Sequence, residues 1–104
     1  MLIQLNTDKN IDGNARLESY LNTLIKDELE RFNEHITRIE VNLADENGPK
    51  KGADDSRCTL QARLENRQPI AVTSHANTIE KATSEALDKL SASIGKIVSK
   101  LKSH

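Results

Sequence analysis

Thr37-Arg38-Ile39-Glu40-Val41-Asn42-Leu43 alternates without a break, with Ile39, Val41 and Leu43 on one side and Arg38, Glu40 and Asn42 on the other. Arg57-Cys58-Thr59-Leu60-Gln61-Ala62-Arg63-Leu64-Glu65 repeats the pattern, with Cys58, Leu60, Ala62 and Leu64 on its apolar side. Successive side chains of a strand point to opposite faces, so alternation of this length reads as a half-buried strand. Pro69-Ile70-Ala71-Val72-Thr73 adds a shorter run with Ile70 and Val72 inward. Joined by turn-rich segments, the three runs predict an antiparallel meander with one apolar face and one polar, solvated face.

Working outward, Leu2 to Thr7 alternates weakly through Ile3 and Leu5 and reads as a short first strand. Asp12 is placed to cap a helix, and from Ala15 the period changes. Leu17, Leu21, Ile25, Leu29 and Phe32 recur by fours and a three, flanked by Tyr20 and Leu24, over roughly five turns. This helix connects the first two strands, which are therefore expected parallel and side by side. The last segment is a second amphipathic helix through Ile79, Ala82, Ala86, Leu90, Ile94, Ile97 and Leu101, with Asn77 and Glu80 spaced as a capping box. The order β-α-β-β-β-α predicts an α+β fold: a four-stranded mixed sheet with both helices packed on one face.

The connections are polar. Asp45 to Ser56 holds Gly48, Pro49, Gly52 and a dense set of charges, a loop with little to bury. Asn66-Arg67-Gln68 joins the third and fourth strands, and Pro69 suits an edge strand because it lacks the ladder donor. A chain of 104 residues is large enough for one core, so residues 1–104 are read as one domain. With 30% charged residues and a formal net charge of −1, the composition is that of a soluble, cytoplasmic protein. Met1 to Thr7 lacks the features of a secretory signal, and no run approaches membrane-spanning length. The single cysteine, Cys58, sits on the apolar side of its strand and reads as a small core residue.

Motifs for catalysis are absent: no glycine-rich phosphate loop, no nucleophile elbow and no Cys/His pair at metal spacing. His35, His75 and His104 are far apart in sequence. Asp45, Glu46, Asn47, Asp54 and Asp55 invite a calcium site. They do not follow the EF-hand ligand series, and Lys50 and Lys51 interrupt them. No enzyme, metal, cofactor or small-molecule substrate is expected.

Charge is unevenly distributed. Residues 12–34 hold six acids and three bases, whereas residues 77–104 hold five lysines and three acids. At ~100° per residue, Lys89, Lys96 and Lys100 share a narrow arc beside the apolar stripe of the last helix, and Lys102 extends the basic end. Arg38, Arg57 and Arg63 add to the polar sheet face, offset by Glu40 and Glu65. With Tyr20 and Phe32 both assigned to the first helix, base stacking is not expected. A nucleic-acid partner would be met through phosphate contacts and shape.

The element order and several segments resemble the ribosome hibernation-promoting factor and ribosome-associated inhibitor family, also called sigma-factor modulation proteins. The segments are Asn6-Thr7-Asp8, Thr37-Arg38-Ile39-Glu40-Val41, Asp45-Glu46-Asn47-Gly48, Asp54-Asp55-Ser56-Arg57-Cys58 and Pro69-Ile70-Ala71-Val72-Thr73. Arg16 stands where the family has a basic residue early in its first helix, and Leu29-Glu30-Arg31-Phe32 is similar to that helix's ending. Asp88-Lys89-Leu90, Lys96 and Lys100 match a lysine series in its last helix. Thr78, Glu80, Ser84, Ala92 and Glu28 depart from the family pattern. The resemblance implies a ribosome-associated stress factor on the small ribosomal subunit, modulating translation through rRNA phosphate contacts. The residues expected to make them are Lys89, Lys96, Lys100, Lys102, Arg16, Arg31, Arg38, Arg57 and Arg63. A non-enzymatic protein-interaction module on the same fold is the alternative, with acidic helix one or the Asp45–Ser56 loop meeting a protein. The oligomeric state is not set by the sequence.

Overall fold

The computed structural model describes residues 1–8, 15–45 and 55–102, with side chains as far as Leu101. The expected Asp12 cap, the 46–54 part of the long loop and the side chain of Lys102 lie outside the described residues. Seven elements follow in order: β1 (Leu2–Thr7), α1 (Ala15–Leu29), a short 3-10 turn η1 (Glu30–Phe32), β2 (Ile36–Asp45), β3 (Ser56–Leu64), β4 (Ile70–Ala76) and α2 (Ile79–Lys102). The strands lie side by side in sequence order, β1-β2-β3-β4. β1 runs parallel to β2, while β3 is antiparallel to both of its neighbours. The predicted α+β arrangement is the observed one.

Alternation explains the core. Ile39, Val41 and Leu43 of β2 pair with Ala62, Leu60 and Cys58 of β3, and all six are buried. Onto this face α1 sets Leu21, Ile25 and Leu29, followed by Phe32. From α2 come Ala82, Ala86, Leu87, Leu90, Ile94 and Val98. Removing such side chains from water at ~25 cal/mol per Å² is the main favourable term for a chain of this size.

Several details differ from strict sequence periodicity. A bulge falls between Ile36 and Arg38: Ile36 pairs with Leu64 and Arg38 with Arg63, leaving Thr37 as the extra residue. Its hydroxyl donates to the Arg63 carbonyl at 3.0 Å. The insertion returns Ile36 to the core face, where unbroken alternation would put it among the polar residues. β2 is also longer than the alternation alone indicates, running on to Asp45, and β4 runs on to Ala76, while β3 keeps the nine residues of its alternating run but starts and ends one residue earlier.

The cap of α2 is Thr78 rather than Asn77. The Lys81 amide donates to Thr78 Oγ1 at 3.1 Å, so the third helical position holds lysine and no reciprocal capping box forms. Thr83 and Ser91 complete the buried side of α2, and Thr83 donates to the Ile79 carbonyl at 2.8 Å. Leu101, expected on the apolar stripe, is 43% exposed, near the helix end where little remains to cover it. The β3–β4 turn contains Asn66 at φ 60°, the left-handed region that asparagine tolerates.

Candidate nucleic-acid interface

Each shoulder of α2 has its own neighbours. On one side Arg31 Nη2 donates to Ser91 Oγ at 3.1 Å, and Gly95 packs near Phe32, whose Cζ would lie 3.7 Å from an added Cβ. On the other side Lys89 Nζ donates to the Thr73 carbonyl at 2.9 Å. That contact fixes the lysine shoulder over the outer edge of β4. Lys96 and Lys100, also exposed, follow Lys89 on the same shoulder at helical spacing. Glu85 precedes Lys89 by one turn and is the acid on that shoulder.

The open face of the sheet, opposite the helices, is polar in every row. Asn6 Nδ2 donates to Asn42 Oδ1 at 3.3 Å, and the Thr59 and Thr73 hydroxyls lie 3.1 Å apart. Arg57 pairs with His75 at one end, and Arg38 pairs with Arg63 at the other. Arg38 is held by Gln4 Oε1 and by Glu40, whose carboxylate lies 3.4 Å away. Arg57 and Arg63 are six residues apart along β3, about 20 Å at strand rise.

β4 therefore has basic residues on both sides. Arg57 and Arg63 flank it on the open face, while Lys89, Lys96 and Lys100 flank it on the helix side. Because α2 runs back against β4, Lys96 and Lys100 lie toward the strand's beginning, the same end as Arg63. Lys89 is tied to β4 by its Thr73 contact, Lys96 and Lys100 continue its shoulder by helical spacing, and Arg57 and Arg63 stand on the adjacent strand; these five are the basic band, with Arg38 one strand further in. Arg16 and Arg31 stand apart on the α1 side. Arg16 is exposed in the first turn of α1, and the Arg31 guanidinium stacks over Phe32 at 4.4 Å. The sequence shows the arc of lysines but not which neighbour that arc faces, so the joining of lysines and sheet arginines around one edge is visible only in the fold.

Two side chains of chemical interest take different places. Tyr20 is 49% exposed, so one aromatic does reach the surface, contrary to the expectation that α1 would use both. It lies ~100° from Leu21 around the helix, off the buried stripe. Cys58 is fully buried, and burial pushes its thiol up to about 11 from 9.0 although a hydrogen bond with Thr83 pulls the other way. A thiol so far from ionisation is a core residue and not a nucleophile. Among the described residues no group of His, Cys, Asp or Glu converges in a metal-binding arrangement.

Known proteins with the same fold give the geometry its context. The N-terminal domain of Protein Y from Thermus thermophilus is similar in structure, with a TM-score of 0.73 and 18% identity, covering 93% of this chain and 99% of that one. A ribosomal subunit interface protein from Coxiella burnetii is similar at TM-score 0.70 and 18% identity, covering 95% of this chain and 99% of that one. No curated protein matches by sequence. At 18% identity the two structures establish the fold alone, while a family sequence profile matches residues 6–102, nearly the whole chain. By that match the chain belongs to the sigma 54 modulation protein / S30EA ribosomal protein family.

Proposed function

We propose that this protein is a ribosome-associated hibernation factor that binds the small ribosomal subunit through rRNA phosphates and modulates translation without catalysing a reaction. The observation that carries this reading is the basic band around β4, with Lys89, Lys96 and Lys100 on one side of the edge and Arg57 and Arg63 on the other. Family membership and the two structural relatives, one of them named for the ribosomal subunit interface, support the choice of partner. Phosphates met by exposed ammonium and guanidinium groups release condensed counterions, so affinity falls steeply as salt rises. Arg38, one strand further in, is included with the band, and Lys102 is included on its sequence position alone. Arg16 and Arg31 would reach rRNA only if the protein sits in a cleft with walls on both sides. The reading places the protein in the cytoplasm with ribosomes and requires no cofactor or membrane.

The test is cosedimentation with purified small subunits at two salt concentrations. Wild type is expected in the subunit fraction at low salt and largely free at high salt. Reversing Lys96 and Lys100 to Glu is expected to weaken association while leaving the circular dichroism spectrum unchanged, because both are exposed. Binding indifferent to salt and to both reversals would remove the electrostatic mechanism. A second reading rests on α1, where exposed Tyr20 is accompanied by exposed Glu18, Asp27 and Glu28. An exposed aromatic on a helix that carries several exposed acids fits a basic protein partner. Absence of the wild type from ribosomal fractions in growing and starved cells would favour that interaction module.

A further inference from the structure

The two edges of the sheet are guarded unequally. At β4 the Lys89 ammonium covers the outward carbonyl of Thr73 at 2.9 Å, and Pro69, just before the strand, has no amide hydrogen to offer. Lysine over an edge and proline beside it are devices by which sheets refuse a further strand. β1 has neither: Leu2-Ile3-Gln4-Leu5-Asn6-Thr7 carries no charge and no proline. The Asp8 amide donates to the Leu43 carbonyl at 3.1 Å, which sets the phase of the parallel ladder. Gln4 and Asn6 thus turn their backbone groups to β2, while Ile3, Leu5 and Thr7 turn theirs outward. Among the described residues no strand takes these groups up. Leu2 is 62% exposed, more than any other large apolar side chain described, and Ile3 and Leu5 are half-buried at the margin of the core.

We propose that β1 is the seam of a homodimer. Two copies pair their β1 strands antiparallel about a two-fold axis through Gln4 and join their sheets into one of eight strands. A two-fold interface must be complementary to itself, and this strand is. Hydrogen bonds across the seam require outward-turned residues to face each other. With the axis at Gln4, Ile3 faces Leu5 of the second copy and Leu5 faces its Ile3, both pairs on the helix-covered side. On the open side Gln4 meets Gln4, and Leu2 meets Asn6. No charge opposes a like charge along the seam. An axis at Leu5 would set Ile3 against Thr7, and an axis at Ile3 would leave only Leu2 to Gln4 of the strand paired. The chosen register is the one that matches both the apolar residues and the backbone phase. This inference is independent of the ribosomal reading, because it concerns the edge farthest from the basic band.

The experiment uses the purified full chain in sedimentation velocity over a concentration series, together with two cysteine variants on a non-reducing gel. The wild type is expected to shift from one chain mass toward two as concentration rises. In Gln4→Cys the two sulfur-bearing residues face each other at a non-hydrogen-bonded pair. Their Cα atoms would be about 4.5 Å apart, within disulfide range, and mild oxidation is expected to give a covalent dimer. Asn6→Cys places its two cysteines four residues out of step, roughly 13 Å apart, and is expected to stay monomeric. Both positions are exposed, so folding is preserved, and buried Cys58 does not compete. A wild type that stays at one chain mass throughout, with no covalent dimer from Gln4→Cys, would overturn the proposal. So would equal crosslinking of the two variants, the signature of random collision.

Discussion

Val41 and Asn42 are adjacent in β2, yet one is fully buried and the other exposed on the open face of the sheet. The same division separates Cys58 from Arg57 and Leu60 from Gln61. The inner face is apolar except at its margin, where Ser56 and Ser74 are buried, and it is held mainly by packing. The open face carries arginine opposite arginine, arginine opposite histidine and a row of amides and hydroxyls. One ladder of backbone hydrogen bonds thus supports a surface that holds the fold together and another whose side chains are available to a partner. The sharpest tests ask whether these faces differ in consequence as they differ in composition.

The largest expected effect is on the inner face. Val41→Asp or Leu60→Asp would bury an unpaired carboxylate in the core, and neither variant is expected to show a cooperative thermal transition by circular dichroism. Asn42→Asp, one residue away and on the other face, is expected to stay within about 0.5 kcal/mol of wild type, as surface changes usually do. A cooperative transition in either inner variant would reverse the assignment of faces.

Cys58 allows a smaller and more chemical test of the same face. Burial raises its folded-state value from 9.0 to about 11, so the folded protein holds this proton more tightly than the unfolded chain. The associated stability is fully present below pH 9 and is lost as pH rises to about 11. Two units correspond to about 2–3 kcal/mol. Urea unfolding between those pH values is expected to show this loss in the wild type. Cys58→Ala is expected to lack that part of the slope, which isolates the contribution of the thiol. Native protein is also expected to resist alkylation until it unfolds.

Much of this division was legible in the sequence, because alternation is a direct consequence of strand geometry. Ile39, Val41 and Leu43 could be placed inward before any coordinate existed, and the long helix between β1 and β2 implied their parallel pairing. Other features depend on a choice among similar residues. Thr37 as the inserted residue is invisible because Ile36 and Ile39 only become neighbours on one face once the bulge exists. Thr78 beats Asn77 as the cap because the helix begins one residue later than the Asn77/Glu80 spacing implies. The basic band illustrates the main limit: periodicity puts Lys89, Lys96 and Lys100 on one shoulder, but only tertiary packing decides that this shoulder borders β4. Tyr20 is exposed for the same reason, since flanking an apolar stripe does not determine which side is covered.

The helix that covers the inner face is capped at its start by the Thr78 hydroxyl. Thr78→Ala removes the acceptor for the Lys81 amide and is expected to cost about 1 kcal/mol in chemical denaturation. Asn77→Ala is expected to cost less, since the observed cap does not use it. Equal losses would mean that the two residues share the role, and the start of α2 would then be less sharply defined than the Thr78 contact indicates.

The smallest expected effect is the one that separates the faces by sign. Arg63 lies directly opposite Arg38, and like charges in that position are unfavourable by a few tenths of a kcal/mol to about 1 kcal/mol. Arg38 is compensated by Glu40 and Gln4, which puts the expected relief from Arg63→Gln at the low end of that range. This variant is therefore expected to be slightly more stable than wild type in urea, a change that no inner-face truncation should produce. Its association with small subunits is expected to weaken, and the salt dependence to become shallower by the loss of about one phosphate contact. Arg38→Gln is the control: it removes the partner of Glu40 as well as the repulsion, so its stability should not rise in the same way. A gain in stability with unchanged binding would make the Arg38–Arg63 pair a tolerated accident of an open surface. A gain in stability coupled to weaker binding would show that the open face keeps an unfavourable charge arrangement because its ligand neutralises it.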